Sequence, residues 1–219
     1  GEVLILAGDV VPFSVMHKHS DFFDYISDNF EQAYWIPGNH EYYHSDMADR
    51  CGFLCEKIRG NVQLVNNYKV SHGDINLLFS TMWTRLGEKN QFTIQQGLSD
   101  FLVIRYNDKP LTCHHYNDQH AACLSFIREQ LKTHAANTVV ATHHVPTFLN
   151  YPDKFKGDVF NEAFAVELFD LIESNGPDYW IFGHHHQNME PFTIGRTSLI
   201  SNQLGYVKYG EHVGFDKGK

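Results

Sequence analysis

Four short apolar segments of this sequence are each followed at once by side chains that can bind a metal ion. The segments are residues 3–7, 34–36, 139–141 and 179–182. The side chains that follow them are those of Asp9, Asn39, His40, Glu41, His143, His144, His184, His185 and His186. Short apolar runs are typical of buried strands, and binding sites in open α/β sheets form at the carboxyl ends of strands. We therefore expect members of this set from all four segments to surround one cation.

The residue types in this set favour one kind of metal chemistry. A carboxylate such as that of Asp9 has two oxygens and can bridge two divalent ions. Neutral imidazole suits manganese, iron or zinc. Cysteine follows none of the four segments, which disfavours a closed structural zinc site. A carboxylate-bridged pair of ions, about 3.5–4 Å apart, is the usual arrangement for cleaving phosphate esters. The residues thus predict hydrolysis of a phosphate ester by metal-activated water.

The same residues resemble, in the same order, the motifs of the calcineurin-like metallophosphoesterase family. The G-D motif is matched at Gly8-Asp9, G-N-H-[DE] at residues 38–41, the single H at His143, and G-H-x-H at residues 183–186. The resemblance covers nearly the whole chain, and the second and fourth blocks are the most specific. It implies an α/β fold, a layered sandwich with mixed, partly parallel central sheets flanked by helices. It also implies a dinuclear centre of divalent ions, namely manganese, iron or zinc.

The resemblance further implies a role for each metal ligand. Asp9 would bridge both ions, and His186 would belong to the first metal site. The second site would be completed by Asn39, His143 and His184. If residues 183–186 stay extended, His184 and His186 point to the same side of the strand, which supports choosing this outer pair.

His40 is implied to act just outside the metal sites. It would orient the phosphate and protonate the leaving oxygen as a general acid. Its neighbour Glu41 would either hold a ligand in place or simply close the loop. His144 is expected to pack behind the ligands, with direct contact as the alternative, and His185 to point outward or lie behind the ligands, with substrate contact as the alternative. Trp83 is expected to pack in the core, with stacking on a substrate ring as the alternative.

One motif of the family is missing. Members carry an earlier D-x-H on their first strand, which supplies two ligands to the first metal site, and this sequence starts at Gly1 without it. We expect that a leading segment with that strand is absent from this chain; the alternative is a natural variant without the first site. Either way, the first site keeps only Asp9 and His186. We therefore expect one ion to bind well and the other weakly or not at all.

Composition limits the class of protein and of partner. The chain has 219 residues and is predicted to be a single domain, 1–219, without its first strand. The formal net charge of -9 gives no general attraction for nucleic acid. A small phosphorylated substrate is expected instead. No apolar run approaches the roughly 20 residues that span a bilayer, and no signal-peptide pattern opens the chain. With four cysteines interpreted as reduced thiols, these features predict a cytoplasmic protein without membrane contact.

Hydrophobic periodicity predicts the elements that must position the site. Strands are predicted over residues 3–7, 33–36, 138–142, 179–182 and 197–201, with a hairpin over 68–70 and 75–80. Helices are predicted over residues 13–30, 46–59, 119–134 and 161–174. The first should place Phe22 and Ile26 on one face, and the second should do the same with Cys51 and Cys55. Asn117 or Asp118 is expected to cap the third.

Two other functions stay open from the sequence. A binding or scaffold protein on the same fold, with a degraded metal site, would fit the missing D-x-H, although a scaffold needs no general acid at His40. A structural metal-binding module would lose much of its stability on chelation and show no turnover. Among phosphoesterases, monoesters, diesters and nucleotide pyrophosphates are all possible substrates, because substrate choice depends on loops.

Overall fold

Strands and helices alternate along residues 2–133 and 137–218, which the computed structural model describes. The strands are β1 (Val3–Leu6), β2 (Gln32–Trp35), β3 (Leu54–Lys57), β4 (Val62–Asn66), β5 (Tyr68–His72), β6 (Ile75–Ser80), β7 (Arg105–Tyr106), β8 (Lys109–Pro110), β9 (Thr138–Thr142), β10 (Tyr179–Ile181), β11 (Phe192–Ile194) and β12 (Thr197–Ile200). The helices are α1 (Ser20–Asn29), α2 (Gln91–Gly97), α3 (Asp100–Val103), α4 (Cys113–Lys132) and α5 (Phe169–Asn175). None of these helices is long and apolar enough to cross a lipid bilayer.

Two mixed sheets form the centre of the fold. The four-stranded sheet has the order β1-β2-β4-β3, in which the first three strands are parallel and β3 is antiparallel to β4. The six-stranded sheet has the order β11-β12-β10-β9-β6-β5. Its four inner strands are parallel, and β11 and β5 are antiparallel edge strands. The antiparallel pair of β5 and β6 confirms the predicted hairpin.

The two sheets pack face to face and are covered by helices on their outer faces. Tyr34 of β2 stacks on Phe79 of β6, with ring centroids 4.8 Å apart, and Ala141 of β9 lies in the same buried cluster. On the other face of the four-stranded sheet, Trp35 packs against Phe23 of α1 at 5.2 Å. Helix α4 packs on β6. Successive side chains of β2 point to opposite faces of the sheet, as in any strand, so Tyr34 and Trp35 pack into two different cores. The predicted layered α/β sandwich is confirmed.

The carboxyl ends of β1, β2, β6 and β9 meet at one edge of this sandwich. The backbone N–H of Ile36 donates to the carbonyl of Leu6 at 2.9 Å, which holds the ends of β1 and β2 together. The hydroxyl of Thr81, just after β6, donates to the carbonyl of Pro37, just after β2, at 2.7 Å. The N–H of Gly183, after β10, donates to the carbonyl of His143 at 3.0 Å. The strand ends of both sheets are therefore tied into one surface.

The helix predicted over residues 46–59 is wrong. The segment forms a short 3₁₀ turn, Met47–Arg50, and then strand β3. Gly52 between them has a φ of 67°, which a helix cannot include. Strand β3 pairs with β4, and this edge position in the sheet outweighs the local helical pattern. Cys51 and Cys55 therefore share no helix face, and both are free thiols.

Two other predicted helices are shorter than expected. Residues 13–30 split into a 3₁₀ turn, Phe13–Lys18, and helix α1, and Phe23 rather than Phe22 is buried beside Ile26. Of residues 161–174, only the last part is α-helical as α5, because the chain before it pairs with Val145.

Helix α4 begins earlier than predicted. The side chain of Thr112 caps it by accepting from the N–H of His115. Asn117 instead holds the backbone of Leu86, with its amide donating to the carbonyl at 3.0 Å and its oxygen accepting from the N–H at 2.8 Å. The predicted caps at Asn117 and Asp118 are therefore wrong. His134, the last residue of the predicted helix, lies outside the described residues.

Candidate metal centre

Asp9 enters the site from the turn after β1. Gly8 and Asp9 both have positive φ angles, 90° and 57°, a backbone region that costs about 1–3 kcal/mol for a residue other than glycine. The turn aims the Asp9 carboxylate at the ends of the other strands. Its Oδ1 accepts from the backbone N–H of His40 at 3.0 Å, and its Oδ2 is buried with no hydrogen-bond partner in the described part of the chain. Burial raises the pKa of Asp9, but His143, His40 and His186 lower it by more. The net shift is downward, so the carboxylate is ionised.

His143 and His184 face each other beside this carboxylate. Nδ1 of His143 lies 2.8 Å from the carbonyl oxygen of Ala7 and donates to it, which leaves Nε2 as a lone-pair nitrogen. That Nε2 lies 2.9 Å from Nδ1 of His184 and 3.5 Å from Oδ1 of Asp9. Burial lowers the pKa of His184 well below its usual value, and the neighbouring histidines lower it further. His184 is therefore suited to bind a cation in its neutral form, and His143 can offer its Nε2 lone pair to the same cation.

Asn39 completes this group with its amide oxygen. Its Nδ2 donates to Oδ1 of Asp100 at 2.9 Å, so its Oδ1 must face the other way and lies 3.3 Å from Nε2 of His143. Asp100 also accepts from the hydroxyl of Tyr43 at 2.9 Å. Burial raises the pKa of Asp100, and its two hydrogen bonds act in the opposite direction. Asp100 was missed in the sequence, where no motif marks it.

Glu41 ties together the two loops that carry Asp9 and Asn39. Its side chain is fully buried and accepts hydrogen bonds from five N–H groups. The donors are the backbone N–H groups of Asp9, Val10, Val11 and Gly38 and the indole of Trp35. Of the two roles considered for Glu41, the geometry favours holding the ligand in place, because the Asp9 turn is fastened directly to its carboxylate.

Two glycines leave room for the ligands. A Cβ at Gly8 would collide with the ring of His143, and a Cβ at Gly38 would collide with Oδ1 of Asp9 and with the same ring. The backbone of each loop therefore approaches the ligands more closely than any other residue type would permit. This explains physically why glycine precedes both Asp9 and Asn39.

His40 lies at the edge of the group. Its ring stacks on that of Tyr43, with centroids 4.3 Å apart and planes 28° apart, and its Nδ1 lies 3.3 Å from the hydroxyl of Tyr206. His40 lines a cavity of about 360 Å³ together with Asp9 and His184. A larger groove, of about 460 Å³ along α4, contains none of the predicted site residues.

His186 lines the same cavity but lies apart from the group formed by Asp9, His143 and His184. The three acidic or imidazole residues whose ligand atoms lie within 4.8 Å of one another are Asp9, His143 and His184. Nδ1 of His186 instead pairs with Oε2 of Glu211 at 3.0 Å. Residues 183–186 do not continue strand β10, and His184 and His186 have positive φ angles of 75° and 52°. The expected extended alternation is therefore wrong, and a tight turn presents these side chains instead.

His144 and His185 are both buried rings; His144 packs behind the cavity, whereas His185 is part of its wall. Nδ1 of His144 lies 3.0 Å from the carbonyl oxygen of Thr81, and burial, reinforced by the neighbouring His143, lowers the pKa of His144 to about 3. Nδ1 of His185 lies 2.8 Å from the side-chain nitrogen of Gln203, and burial lowers its pKa to about 4. Trp83 is buried in the core, as predicted.

Comparison with known proteins identifies the family. The family model described as calcineurin-like phosphoesterase matches residues 1–188. The chain belongs to the calcineurin-like phosphoesterase family. An uncharacterized protein of Acanthamoeba polyphaga mimivirus is 29% identical over 224 residues, which cover 93% of this chain and 78% of the viral protein. The crystal structure of a phosphopantetheinyl hydrolase from Mycobacterium tuberculosis aligns with a TM-score of 0.64 at 14% identity, covering 94% of this chain and 80% of that one.

The donors of this family member fit a divalent cation. The buried oxygen Oδ2 of Asp9 and the buried nitrogen Nε2 of His184 have no partner among the described residues. A carboxylate, an amide oxygen and two neutral imidazoles form a donor set of the kind that binds manganese, iron or zinc. The hydrogen bond from His143 to Ala7 fixes that ring as outer-shell contacts of metal ligands commonly do. The geometry therefore supports a metal site here without specifying the ion.

Proposed function

We propose that this chain is a metal-dependent phosphoesterase that hydrolyses a small phosphomonoester or phosphodiester. One observation carries the proposal: the ligand atoms from four separate strand ends converge, with His40 at their edge and a cavity beside them. The converging atoms are Oδ1 of Asp9, Oδ1 of Asn39, Nε2 of His143 and Nδ1 of His184. A scaffold protein would need neither this convergence of ligand atoms nor an imidazole facing the cavity.

In this proposal, some residues of the chain bind the cation and another transfers a proton. Asp9, Asn39, His143 and His184 would hold the cation, and Asp9 and His186 are the candidates for a second one. A bound divalent ion supplies positive charge to the phosphoryl oxygens and activates water for attack on phosphorus. His40 would donate a proton to the leaving oxygen as the ester bond breaks. Its place at the edge of the donor group fits this role.

The cavity supports a small anionic substrate. Its volume of about 360 Å³ is at the lower end of the range for small-molecule sites. Lys154 is the one lysine or arginine among the described residues that line it, and Phe155 and Phe164 supply apolar wall. The net charge of -9 gives no wider attraction for a polyanion. We therefore place the phosphate at the ligand group and the organic part of the ester against the aromatic wall.

Hydrolysis of nitrophenyl phosphate and bis-nitrophenyl phosphate in the presence of Mn²⁺ tests the proposal. We expect turnover of at least one ester by the wild-type chain and loss of about 10²-fold or more in Asp9→Asn and His143→Ala, since both remove a metal ligand. His114→Ala is the matched control, because its side chain is 81% exposed on α4, away from the cavity. If the wild-type chain hydrolyses neither ester, and the two ligand variants show the same lack of turnover, the result favours the scaffold function.

A further inference from the structure

The segment that follows β12 crosses the cavity and brings Tyr206 to His40. Glu211 anchors this segment, because its Oε2 accepts from the backbone N–H of Tyr206 at 2.6 Å and pairs with Nδ1 of His186 at 3.0 Å. The ring of Tyr206 packs edge-on against that of His186, with centroids 4.8 Å apart. These contacts hold the Tyr206 side chain over the site.

The ring of His40 is held on its face and at one edge. Tyr43 stacks on the face at 4.3 Å, and the hydroxyl of Tyr43 is fixed by Asp100 at 2.9 Å. At the edge, Nδ1 lies 3.3 Å from the hydroxyl oxygen of Tyr206. The other ring nitrogen, Nε2, has no hydrogen-bond partner in the described part of the chain. The two tyrosines therefore leave one nitrogen of His40 free for a substrate.

We propose that Tyr206 is a positioning residue that fixes which nitrogen of His40 delivers the proton. Its hydroxyl oxygen accepts from Nδ1–H, so the proton given to the leaving oxygen departs from Nε2. This inference rests on the proposed phosphoesterase function. It adds a residue from a segment that none of the recognised motifs includes.

The proton-transfer step needs a proton on Nε2 of His40 at its start and leaves the Nδ1–H in place at its end. As the bond between phosphorus and the leaving oxygen breaks, its electron pair stays on that oxygen. The oxygen takes the Nε2 proton and leaves as an alcohol. His40 becomes neutral imidazole and keeps its Nδ1 proton on the hydroxyl of Tyr206. Without that acceptor, the ring can turn or carry its remaining proton on the wrong nitrogen.

Leaving-group dependence separates this role from a purely structural one. Nitrophenolate leaves without a proton, whereas an alkoxide needs one, so a defect in the general acid affects alkyl esters most. For Tyr206→Phe, we expect kcat for an alkyl phosphate to fall about tenfold, and that for the nitrophenyl ester to change less than about twofold. Tyr209→Phe is the matched control, because Tyr209 is 70% exposed and stands beside Tyr206 without touching His40. Equal losses on both esters in Tyr206→Phe, or no loss on either, would overturn the inference.

Two further measurements separate a positioning role of Tyr206 from a loss of metal or a damaged fold. Metal content and melting temperature should match between Tyr206→Phe and wild type, which excludes a lost cation or a damaged fold as the cause. Nitrogen NMR of the His40 ring should show the proton of the neutral form on Nδ1 in the wild type and a shift toward Nε2 in the variant. A wild-type chain that hydrolyses neither ester would contradict the proposed function. The NMR spectrum of the His40 ring would then still test which nitrogen carries the proton.

Discussion

At the scale of single residues, the orientation of Asn39 depends on a carboxylate 61 positions away. Its amide nitrogen donates to Asp100, and this bond alone determines that the amide oxygen faces His143. Reversal of the amide would place N–H groups where a cation needs a lone pair. Outer-shell contacts of this kind commonly change metal affinity by about 10- to 100-fold when they are lost. Asp100 therefore belongs to the candidate metal centre, because it positions Asn39.

We predict that Asp100→Ala weakens Mn²⁺ binding by about 10- to 100-fold, measured by isothermal titration calorimetry. The cause is the freed amide of Asn39, which can then turn its nitrogen toward the site. Asp118→Ala is the matched control, because its carboxylate is exposed on α4 and pairs with the exposed His114. Equal Mn²⁺ affinity in Asp100→Ala and wild type would show that Asn39 is oriented by something else.

The same residue marks the limit of what the sequence could predict about the site. Asp9, Asn39, His143 and His184 each follow a short apolar strand, so their convergence could be expected from strand ends alone. Asp100, at the start of the one-turn helix α3, and Tyr206, in the segment after β12, reach the site from outside the motif-bearing strand ends. Their contacts depend on the path of loops, which no periodic pattern or turn signal in this chain encodes.

At the scale of elements, strand ends were predictable and helices were less so. Strands β1, β2, β9 and β10 are short, largely apolar runs whose identity is local. The segment over residues 46–59 has a helical pattern, but Gly52 and the pairing of β3 with β4 decide its structure. Residues before α5 likewise leave the helix because Val145 pairs with them. In each case a partner distant in sequence outweighs local periodicity.

The loop after β2 gives a prediction at this scale. Gly38→Ala should reduce Mn²⁺-dependent turnover about 10²-fold, because the added Cβ collides with Oδ1 of Asp9 and with the ring of His143 and displaces both ligands. Gly60→Ala is a matched control, since a Cβ there meets nothing within 4 Å. Turnover in Gly38→Ala equal to that of Gly60→Ala would mean that the loop can move without disturbing the ligands.

The 3₁₀ turn Met47–Arg50 gives a second prediction at this scale, of pH-dependent stability. The carboxylate of Asp46 accepts from the backbone N–H groups of Ala48, Asn107 and Asp108 and so ties this turn to the β7–β8 hairpin. Burial raises the pKa of Asp46, but these three donors and the charge of Arg105 together outweigh burial and lower the pKa below the usual 3.8. A lowered pKa means that the contribution is present at neutral pH and is lost as the pH falls through the acidic range.

Asp46→Asn should therefore lower the free energy of unfolding by about 1 kcal/mol at pH 7, as measured by urea denaturation. The difference from wild type should shrink as the pH falls below the usual 3.8, because the wild-type carboxyl group then becomes neutral, like the amide of the variant. Asp49→Asn is the control, because Asp49 is exposed on the same turn. A difference that persists unchanged at acidic pH would contradict the ionic origin.

At the scale of the whole molecule, the sandwich has cores that do not include the metal ligands. One cluster fills the space between the sheets, and the other lies beneath the helices. The metal centre lies at one edge of these layers, where the strand ends meet. The fold class could be predicted from alternating elements and the family motifs, since both follow from residues along the strands. We therefore expect a cation at this centre to add stability to an already folded chain rather than to create the fold.

Removal of the metal should therefore abolish turnover while the fold persists. With EDTA, we expect activity to disappear and to return on addition of Mn²⁺, while the far-UV circular dichroism spectrum stays unchanged. An ion present at 100 times its Kd stabilises the folded state by about 2.7 kcal/mol, so the melting temperature should fall by roughly 5–10 °C on chelation. Complete unfolding on chelation, without turnover at any Mn²⁺ concentration, would instead indicate a structural metal-binding module.

The position of the bound ion tests the central proposal most directly. Anomalous scattering from crystals grown with Mn²⁺ should show one strong peak bounded by the side chains of Asp9, Asn39, His143 and His184, with a weaker peak or none beside His186. Such a map would join four separate strand ends through a single cation. A strong peak elsewhere, or none within reach of these four side chains, would contradict the proposed metal centre and the phosphoesterase function built on it.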